Sequence, residues 1–418
     1  VRRERGVPRP RRVGAAAQLA VAVGPLGDGQ QVARLDPAAE RGAEVILLEQ
    51  MDRPGLKLLM TGGGHCNLSN TLLDDAFMEK FGREGRFMQP ALAAMNSEGL
   101  CSFFSGLDVP TFSPDGFHLY PRSESALQVQ TALLNRCRAL KVRLESGSCV
   151  KSLGIADGRI VGVETATTSI AANRVILATG GKSYPETGAT GLGYKLAEQA
   201  GHSLVPTVPA LVALVTAEKW PGTLAGVSLP DVQIQIEQEK KKKPTSGAML
   251  FTHTGISGPA VLDISGDVAE LLQKQKSVRI KVNLIPDCNA VTWNRELNDW
   301  RQLDGPRILK NHFPAVLTNS LLDALFQLSG ISVETRCAHL KAGEQAALIE
   351  ALTALPLTAT CTEGFDRAIV TRGGVSLKQV NPHTLESKIV KGLFFAGELL
   401  DLDGPCGGYN LQWAFSSG

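Results

Sequence analysis

Two glycine-dense stretches carry the residue types from which chemistry could be built. RPGLKLLMTGGGHCNLSN, residues 53–70, sets three consecutive glycines beside Arg53, Lys57, His65, Cys66 and Asn67. Such a run costs conformational entropy and is useful where backbone N–H groups must come close to a flat or anionic ligand. Gly62, Gly63 and Gly64, with Arg53 and Lys57 nearby, therefore point to contact with an anion or a flavin. The second stretch, GLFFAGELLDLDGPCGGYNLQWAFSSG at 392–418, reads as a buried strand that delivers Gly397 and Glu398, then a Gly407-Gly408 pair opening a helix-like YNLQWAFSS. A helix start offers free N–H groups and about half a positive charge, suited to an isoalloxazine that becomes anionic when reduced. An acid just past a strand can bind a polyol hydroxyl.

Three further places fit a nucleotide. EVILLEQ, residues 44–50, ends a continuous apolar run in Glu49, where an acid at the end of a second strand can accept both ribose hydroxyls. VILATGG, residues 175–181, sets Thr179 and Gly180 just past a buried strand, the edge at which open α/β sheets bind ligands. LAVAVGPLGDG, residues 19–29, looks like the strand and turn that open such a fold, but Gly24, Gly27 and Gly29 read GxxGxG instead of GxGxxG. LAVAV is short, apolar and ends at a glycine turn, so it can serve as the strand.

For proton transfer the candidates are His65, His253 and Tyr409, each of which also has an ordinary structural role open to it. Cys66 and Cys406 flank the same region without a resolving partner. The eight cysteines form no CxxC pair and no zinc spacing, so no metal site is expected and reduced thiols in a cytoplasm fit best. No GxSxG, HExxH or P-loop supports a hydrolase or kinase. With 43 basic against 41 acidic side chains, the chain lacks the charge footprint of a nucleic-acid binder. The run at 240–243, KKKK before Pro244, reads as a solvated loop. No window reaches the ~18 apolar residues of a membrane span, so the expected partner is a small-molecule substrate, with no nucleic acid and no membrane. The oligomeric state stays open.

The elements that must position these residues follow from pattern. A length of 418 residues asks for two or more cores. Before Glu44, QQVARLDPAAERG could form a helix that Pro37 interrupts. Residues 148–181 alternate in short runs around Asp157-Gly158 and read as an antiparallel meander feeding the buried strand RVILATGG. GLGYKLAEQAGH has helical spacing. After VPTVPA the text turns strand-like in LVALVT, VQIQIE, AMLFTH and VRIKVNLI, and from Asp287 it turns helical in SLLDALFQL and GEQAALIEAL. The fold class is therefore α/β, with an insert, part β and part helical, between two halves of one nucleotide-binding domain.

Several long ungapped motifs in one order carry a specific resemblance: KLLMTGGGHCNLSN, RVILATGGKSYPETGATGLGYKLAEQAGH, MLFTHTGISGPAVLDIS, TRGGVSL and GLFFAGELLDLDGPCGGYNLQWAFSSG. From about Ala38 onward the chain resembles the aminoacetone oxidase/BaiN-like family of FAD-binding oxidoreductases. That resemblance implies a Rossmann-like two-dinucleotide-type FAD domain in two pieces, carrying a β-barrel and helical insert. The expected boundaries are 38–204 and 357–418 for the FAD domain, 205–286 for the barrel part and 287–356 for the helical part. By motif position, Glu49 holds the adenosine ribose, and Arg53, Lys57 and residues 62–67 border the pyrophosphate and flavin. Val150 lies where backbone groups meet the adenine, and Thr179 and Gly180 pack near the adenosine. Glu398 meets the ribityl chain, Gly397 beside it is a further cofactor-binding position, and Gly408, Tyr409 and Asn410 face the flavin pyrimidine edge. The implied cofactor is FAD, with NADH or NADPH as a possible reductant.

The resemblance also frames two departures. VRRERGVPRPRR and the misordered glycines replace the family's opening strand and fingerprint, so residues 1–37 are expected to be an aberrant or disordered segment, an out-of-frame remnant of GC-rich coding DNA. The helix starting near Tyr409 stops at SSG, so its end is expected to fray. Two functions follow: an FAD-dependent oxidoreductase moving hydride through flavin N5 to or from a small amine or conjugated carbonyl, or a non-catalytic remnant with weak or no FAD binding.

Overall fold

The structure is a computed structural model that describes residues 19–23, 43–239 and 243–418. It separates into two compact units. One comprises the described residues up to Thr207 together with Val370–Gly418, and the other is Val208–Ile369.

The first unit is organised by a five-stranded parallel sheet in the order Leu393–Phe395, Arg174–Leu177, Leu19–Val23, Glu44–Leu48, Arg143–Glu145. LAVAV supplies its middle strand, with Val21 opposite Val175 on one side and Ile46 on the other. LAVAV thus forms the strand that its apolar run allows, and the expectation of an aberrant or disordered segment over residues 1–37 does not describe Leu19–Val23. The physical reason is that five apolar residues fill a gap whose two neighbours would otherwise carry unpaired buried N–H and C=O groups. Gly24, Gly27 and Gly29, the interrupted helix at 30–42 and the arginine-rich start lie outside the described residues.

Strand alternation divides the apolar residues between the two faces of this sheet. Val21, Val23, Ile46, Leu48, Val175 and Leu177 face a core that includes Leu153, Ile160, Val163, Leu196 and Trp413. Ala22, Val45, Leu47 and Ile176 face a second core that includes Val129, Leu133, Phe104 and Phe415. Burying each larger aliphatic side chain contributes roughly 1.5–3 kcal/mol, so the EVILL and RVIL runs are spent on both faces. The meander has the expected form: Val150–Ala156, Arg159–Thr165 and Ser169–Ala171 pair antiparallel, with Asp157 at φ 50° and Gly158 at φ 70° making the tight turn.

The last helix, Tyr409–Ser417, is not frayed. Eight of its nine residues are buried. Gln412 Nε2 and Ser416 Oγ both donate to the Met95 carbonyl, at 3.0 and 2.6 Å, and the Gly397 N–H donates to Ser417 Oγ at 2.8 Å. A helix this short is marginal alone, and tertiary burial on all sides supplies what its length does not.

The second unit contains a closed six-stranded barrel of Leu214–Thr216, Gly255–Ser257, Thr245–Phe251, Ser228–Ile236, Val278–Asn283 and Leu355–Thr362. Its interior residues, among them Ile234, Phe251, Ile280 and Leu357, form one core with Leu297, Leu325, Phe326 and Leu348 from the helices Ala290–Leu303, Asn319–Leu328 and Ala342–Thr353. Because Leu355–Thr362 closes the barrel, the first unit resumes at Val370, later than the expected 357. Of the lysine run, Lys240–Lys242 lie outside the described residues and Lys243 is exposed.

Candidate functional site

At the carboxyl ends of Leu19–Val23 and Glu44–Leu48 the first unit opens into a small cleft lined by Val23, Leu48, Gln50, Ser148, Val150, Thr179 and Leu192. Val150 and Thr179, both expected from the resemblance to lie near the adenosine, line this one cleft. Glu49 is wholly buried beside this wall; its Oε1 accepts from the Met51 N–H at 2.9 Å, and its own backbone is pinned by Glu145 and Ser148. The helix Leu192–Gln199 closes in tightly here: a Cβ on Gly193 would lie 1.8 Å from Thr179 Oγ1. Gly180, at φ 65°, turns the chain past Thr179. Val23, Leu48, Val150 and Leu192 give this cleft apolar walls, and Gln50, Ser148 and Thr179 polar ones.

Deeper in the unit, Lys57 and Glu398 form a buried ion pair, their side chains 7% and 10% exposed. The separation in sequence is 341 residues. Ser183 joins them, accepting from Lys57 Nζ at 2.9 Å and donating to Glu398 Oε1 at 2.9 Å, while the Thr371 N–H donates to the same oxygen at 2.7 Å. Gly181 makes room for this carboxylate, since a Cβ there would meet Thr371 Oγ1 at 2.3 Å and Glu398 Oε1 at 2.7 Å. Two buried charges are tolerated only when their remaining hydrogen-bonding capacity is met, and Ser183 and Thr371 meet it.

The glycine loop folds as a short 3₁₀ turn over Thr61–Gly64, with Gly62 and Gly63 exposed and both at positive φ. Two asparagines tie it to the carboxyl-terminal glycines. With the amide turned to satisfy both its atoms, Asn67 accepts from the Gly408 N–H at 3.1 Å and donates to Leu119 O at 3.2 Å and Ser69 O at 2.9 Å. Asn70 Nδ2 donates to Gly407 O at 2.8 Å. Gly408, at φ 81°, approaches so closely that a Cβ would lie 2.4 Å from Ser69 O. Asn410 braces the preceding turn by accepting from Gly404 N–H and donating to Gly404 O, both at 2.8 Å.

Other expected positions fall elsewhere. Arg53 is exposed. His65 is half exposed, its Nδ1 3.5 Å from Glu124. Cys66 points into the core, and burial pushes its thiol up to about 12, so it offers the site backbone and not a thiolate. Tyr409 is buried against Phe77, with Phe81 and Phe117 around it. His253 belongs to the second unit. Gly397 caps the last strand, its carbonyl accepting from Trp413 Nε1 at 3.3 Å. Residues not singled out from sequence include Ser183, Thr371, Asn70, Gln50 and Leu192. Ser183 and Thr371 do stand in glycine-marked text, GGKS and TRGG, and that adjacency was the available signal.

Comparison with known proteins places this geometry. Residues 33–418 match the family described as HI0933-like protein Rossmann domain. A 3-dehydro-bile acid delta(4,6)-reductase of Clostridium scindens is 34% identical over 399 residues, covering 95% of this chain and 97% of that protein. A ribosomal RNA dihydrouridine synthase of Escherichia coli is 32% identical over 384 residues, 91% of each chain. The ribosomal RNA dihydrouridine synthase of Haemophilus influenzae is 31% identical over 385 residues, 91% of this chain and 92% of that one.

Proposed function

The chain belongs to the HI0933-like family of FAD-dependent Rossmann oxidoreductases, and from that premise we propose that it reduces a carbon–carbon double bond conjugated to a carbonyl. The names of the relatives support this bond type from two directions. A 3-oxo-4,6-diene and the 5,6 bond of a uracil are both alkenes polarised by a neighbouring carbonyl, and each accepts hydride at the carbon remote from it. Bound FAD supplies hydride transfer through N5, with NADH or NADPH as its reductant.

The single observation that carries the reading is the junction of the glycine loop with Gly407-Gly408, held by Asn67 and Asn70. It places two exposed glycines, Gly62 and Gly63, beside a helix start whose N–H groups favour negative charge. Glu49, Val150 and Thr179 are the proposed adenosine contacts. Lys57 and Glu398, cross-linked through Ser183, are the proposed support for the ribityl and pyrophosphate region. Arg53 and His65 border it from the exposed side. The near-balanced charge favours a small molecule over RNA as the carrier of the alkene. Eight free cysteines favour a thiol-reducing compartment such as a cytoplasm. Among the described residues no helix is long and apolar enough to cross a membrane.

The test starts with the visible spectrum of purified protein after reconstitution with FAD. A flavin spectrum is expected, and its absence would favour the non-catalytic reading. The reduced holoprotein is then mixed anaerobically with a 3-oxo-4,6-diene bile acid, and separately with a uridine-containing ribosomal RNA fragment. Flavin reoxidation by the bile acid with saturation of the alkene supports the proposal. Reoxidation by RNA alone would make RNA the substrate, and reoxidation by neither would refute alkene reduction.

A further inference from the structure

One cluster of titratable side chains is absorbed by none of the roles above. The strand His118–Pro121 pairs antiparallel with Ser69–Asn70, so it lies directly against the glycine loop. The Leu68 N–H donates to Leu119 O at 2.8 Å, the Thr71 N–H to Phe117 O at 2.9 Å, and Asn67 also reaches Leu119 O. Residues two apart on a strand share a face, which puts His118 and Tyr120 side by side. Their ring centroids are 6.2 Å apart, and the Tyr120 ring lies 3.5 Å from where a Cβ of Gly62 would be. Tyr120 thus borders the exposed Gly62 that the functional reading assigns to the flavin, with His118 next to it.

The histidine is not loose. Asp115 Oδ2 accepts from His118 Nδ1 at 2.6 Å, and its other oxygen accepts from the backbone N–H groups of Phe117 at 2.9 Å and His118 at 2.8 Å. These bonds hold the Asp115 carboxyl well below the usual carboxylate range, so it stays an acceptor at any working pH. A carboxylate on Nδ1 selects the tautomer in which Nε2 is left to exchange protons. With its side chain 34% exposed, His118 can be reprotonated from solvent. Tyr120 is half-buried, and burial together with the nearby Asp115 and Glu124 carboxylates raises its phenol above the ordinary value, which keeps it a donor. His65 and Glu124 are further ionisable groups here, His65 Nδ1 lying 3.5 Å from Glu124 Oε2.

We propose that the Asp115–His118 dyad is the general acid of alkene reduction and that Tyr120 beside it hydrogen-bonds the substrate carbonyl. The inference rests on the functional reading above. With FAD bound and reduced, the hydride it would supply would go to the remote carbon, and the alkene electron pair would shift to an enolate whose oxygen accepts a hydrogen bond from the Tyr120 phenol. His118 Nε2–H then gives its proton to the carbon next to the carbonyl, the carbonyl re-forms, and water returns the proton to Nε2. Two electrons and one proton enter through the hydride, one proton through His118.

The test has two arms. In histidine-labelled protein without FAD, long-range ¹H–¹⁵N NMR should show neutral His118 as the Nδ1–H tautomer, and D115N should lose that preference; an Nε2–H tautomer in the unaltered protein overturns the dyad. In reduced holoprotein, H118Q should slow reoxidation by the 3-oxo-4,6-diene bile acid by about 100-fold or more. Reoxidation by 1,4-benzoquinone, whose oxygens take protons from water, should persist. Equal loss with both oxidants would mean a structural role, and no loss with the bile acid would mean another acid; either result overturns the inference. Unaltered holoprotein that reduces benzoquinone but never the bile acid or uridine overturns the functional reading itself.

Discussion

Replacing Lys57 by Met should destabilise the protein by about 3 kcal/mol, and the number follows from what the change strands. Glu398 would remain about 10% exposed without its counter-charge. Removing one partner of a buried pair typically costs ~3–5 kcal/mol, because the other charge is left uncompensated. Here Glu398 retains two donors, Ser183 Oγ at 2.9 Å and the Thr371 N–H at 2.7 Å, which argues for the lower end. The reverse change, Glu398→Met, should cost a similar amount, since Lys57 would keep the Ser183 hydroxyl at 2.9 Å but lose its counter-charge. The double variant, Lys57→Met with Glu398→Met, should recover most of the loss, as apolar replacements of buried pairs are often neutral. Urea titrations of the four proteins without FAD give the cycle directly. With each single near 3 kcal/mol and the double close to the parent, the coupling should be roughly 5 kcal/mol. A Lys57→Met protein within about 0.5 kcal/mol of the parent, or a double variant as unstable as the sum of the singles, would refute the reasoning.

Three further outcomes can be checked. Burial lowers His202 to about 4, its Nε2 meeting Ser387 Oγ at 2.7 Å and its ring packed on Phe395. The unfolded chain therefore takes up a proton that the folded chain resists, so stability is full above about pH 6.5 and falls as the pH drops toward about 4, by up to ~3 kcal/mol. Urea midpoints at neutral and mildly acidic pH should show a smaller acid loss in His202→Phe than in the parent. Gly408→Ala should cost roughly 1–3 kcal/mol in backbone strain and weaken FAD binding, read by fluorescence titration, because its Cβ would press on Ser69 O. Val150→Trp should obstruct the cleft that Val150 lines and lower FAD affinity while leaving the far-ultraviolet circular dichroism unchanged.

What the sequence determined by itself was local. Alternation and apolar runs marked the strands Glu44–Leu48, Arg174–Leu177 and Val150–Ala156, because strand formation here is written in side-chain burial on two faces. Glycine clusters marked the turns, because positive φ at Gly62, Gly63 and Gly408 leaves little choice of residue. The family motifs carried the fold class and the FAD. Tertiary structure decided everything that depends on partners distant in the chain. LAVAV was legible as a short strand, but not its place in the middle of the sheet, where one neighbour comes from more than a hundred residues away. A nine-residue helix that should fray is buried on all sides by contacts through Met95 and Gly397. Lys57, Ser183, Thr371 and Glu398 carry no shared pattern along the sequence and meet only because four separate strand ends and loops converge. His118 and Tyr120 gained significance in the same way. Hydrogen bonds and ion pairs act over a few ångströms of space and ignore sequence distance, so the residue types were legible in the chain and their company was not.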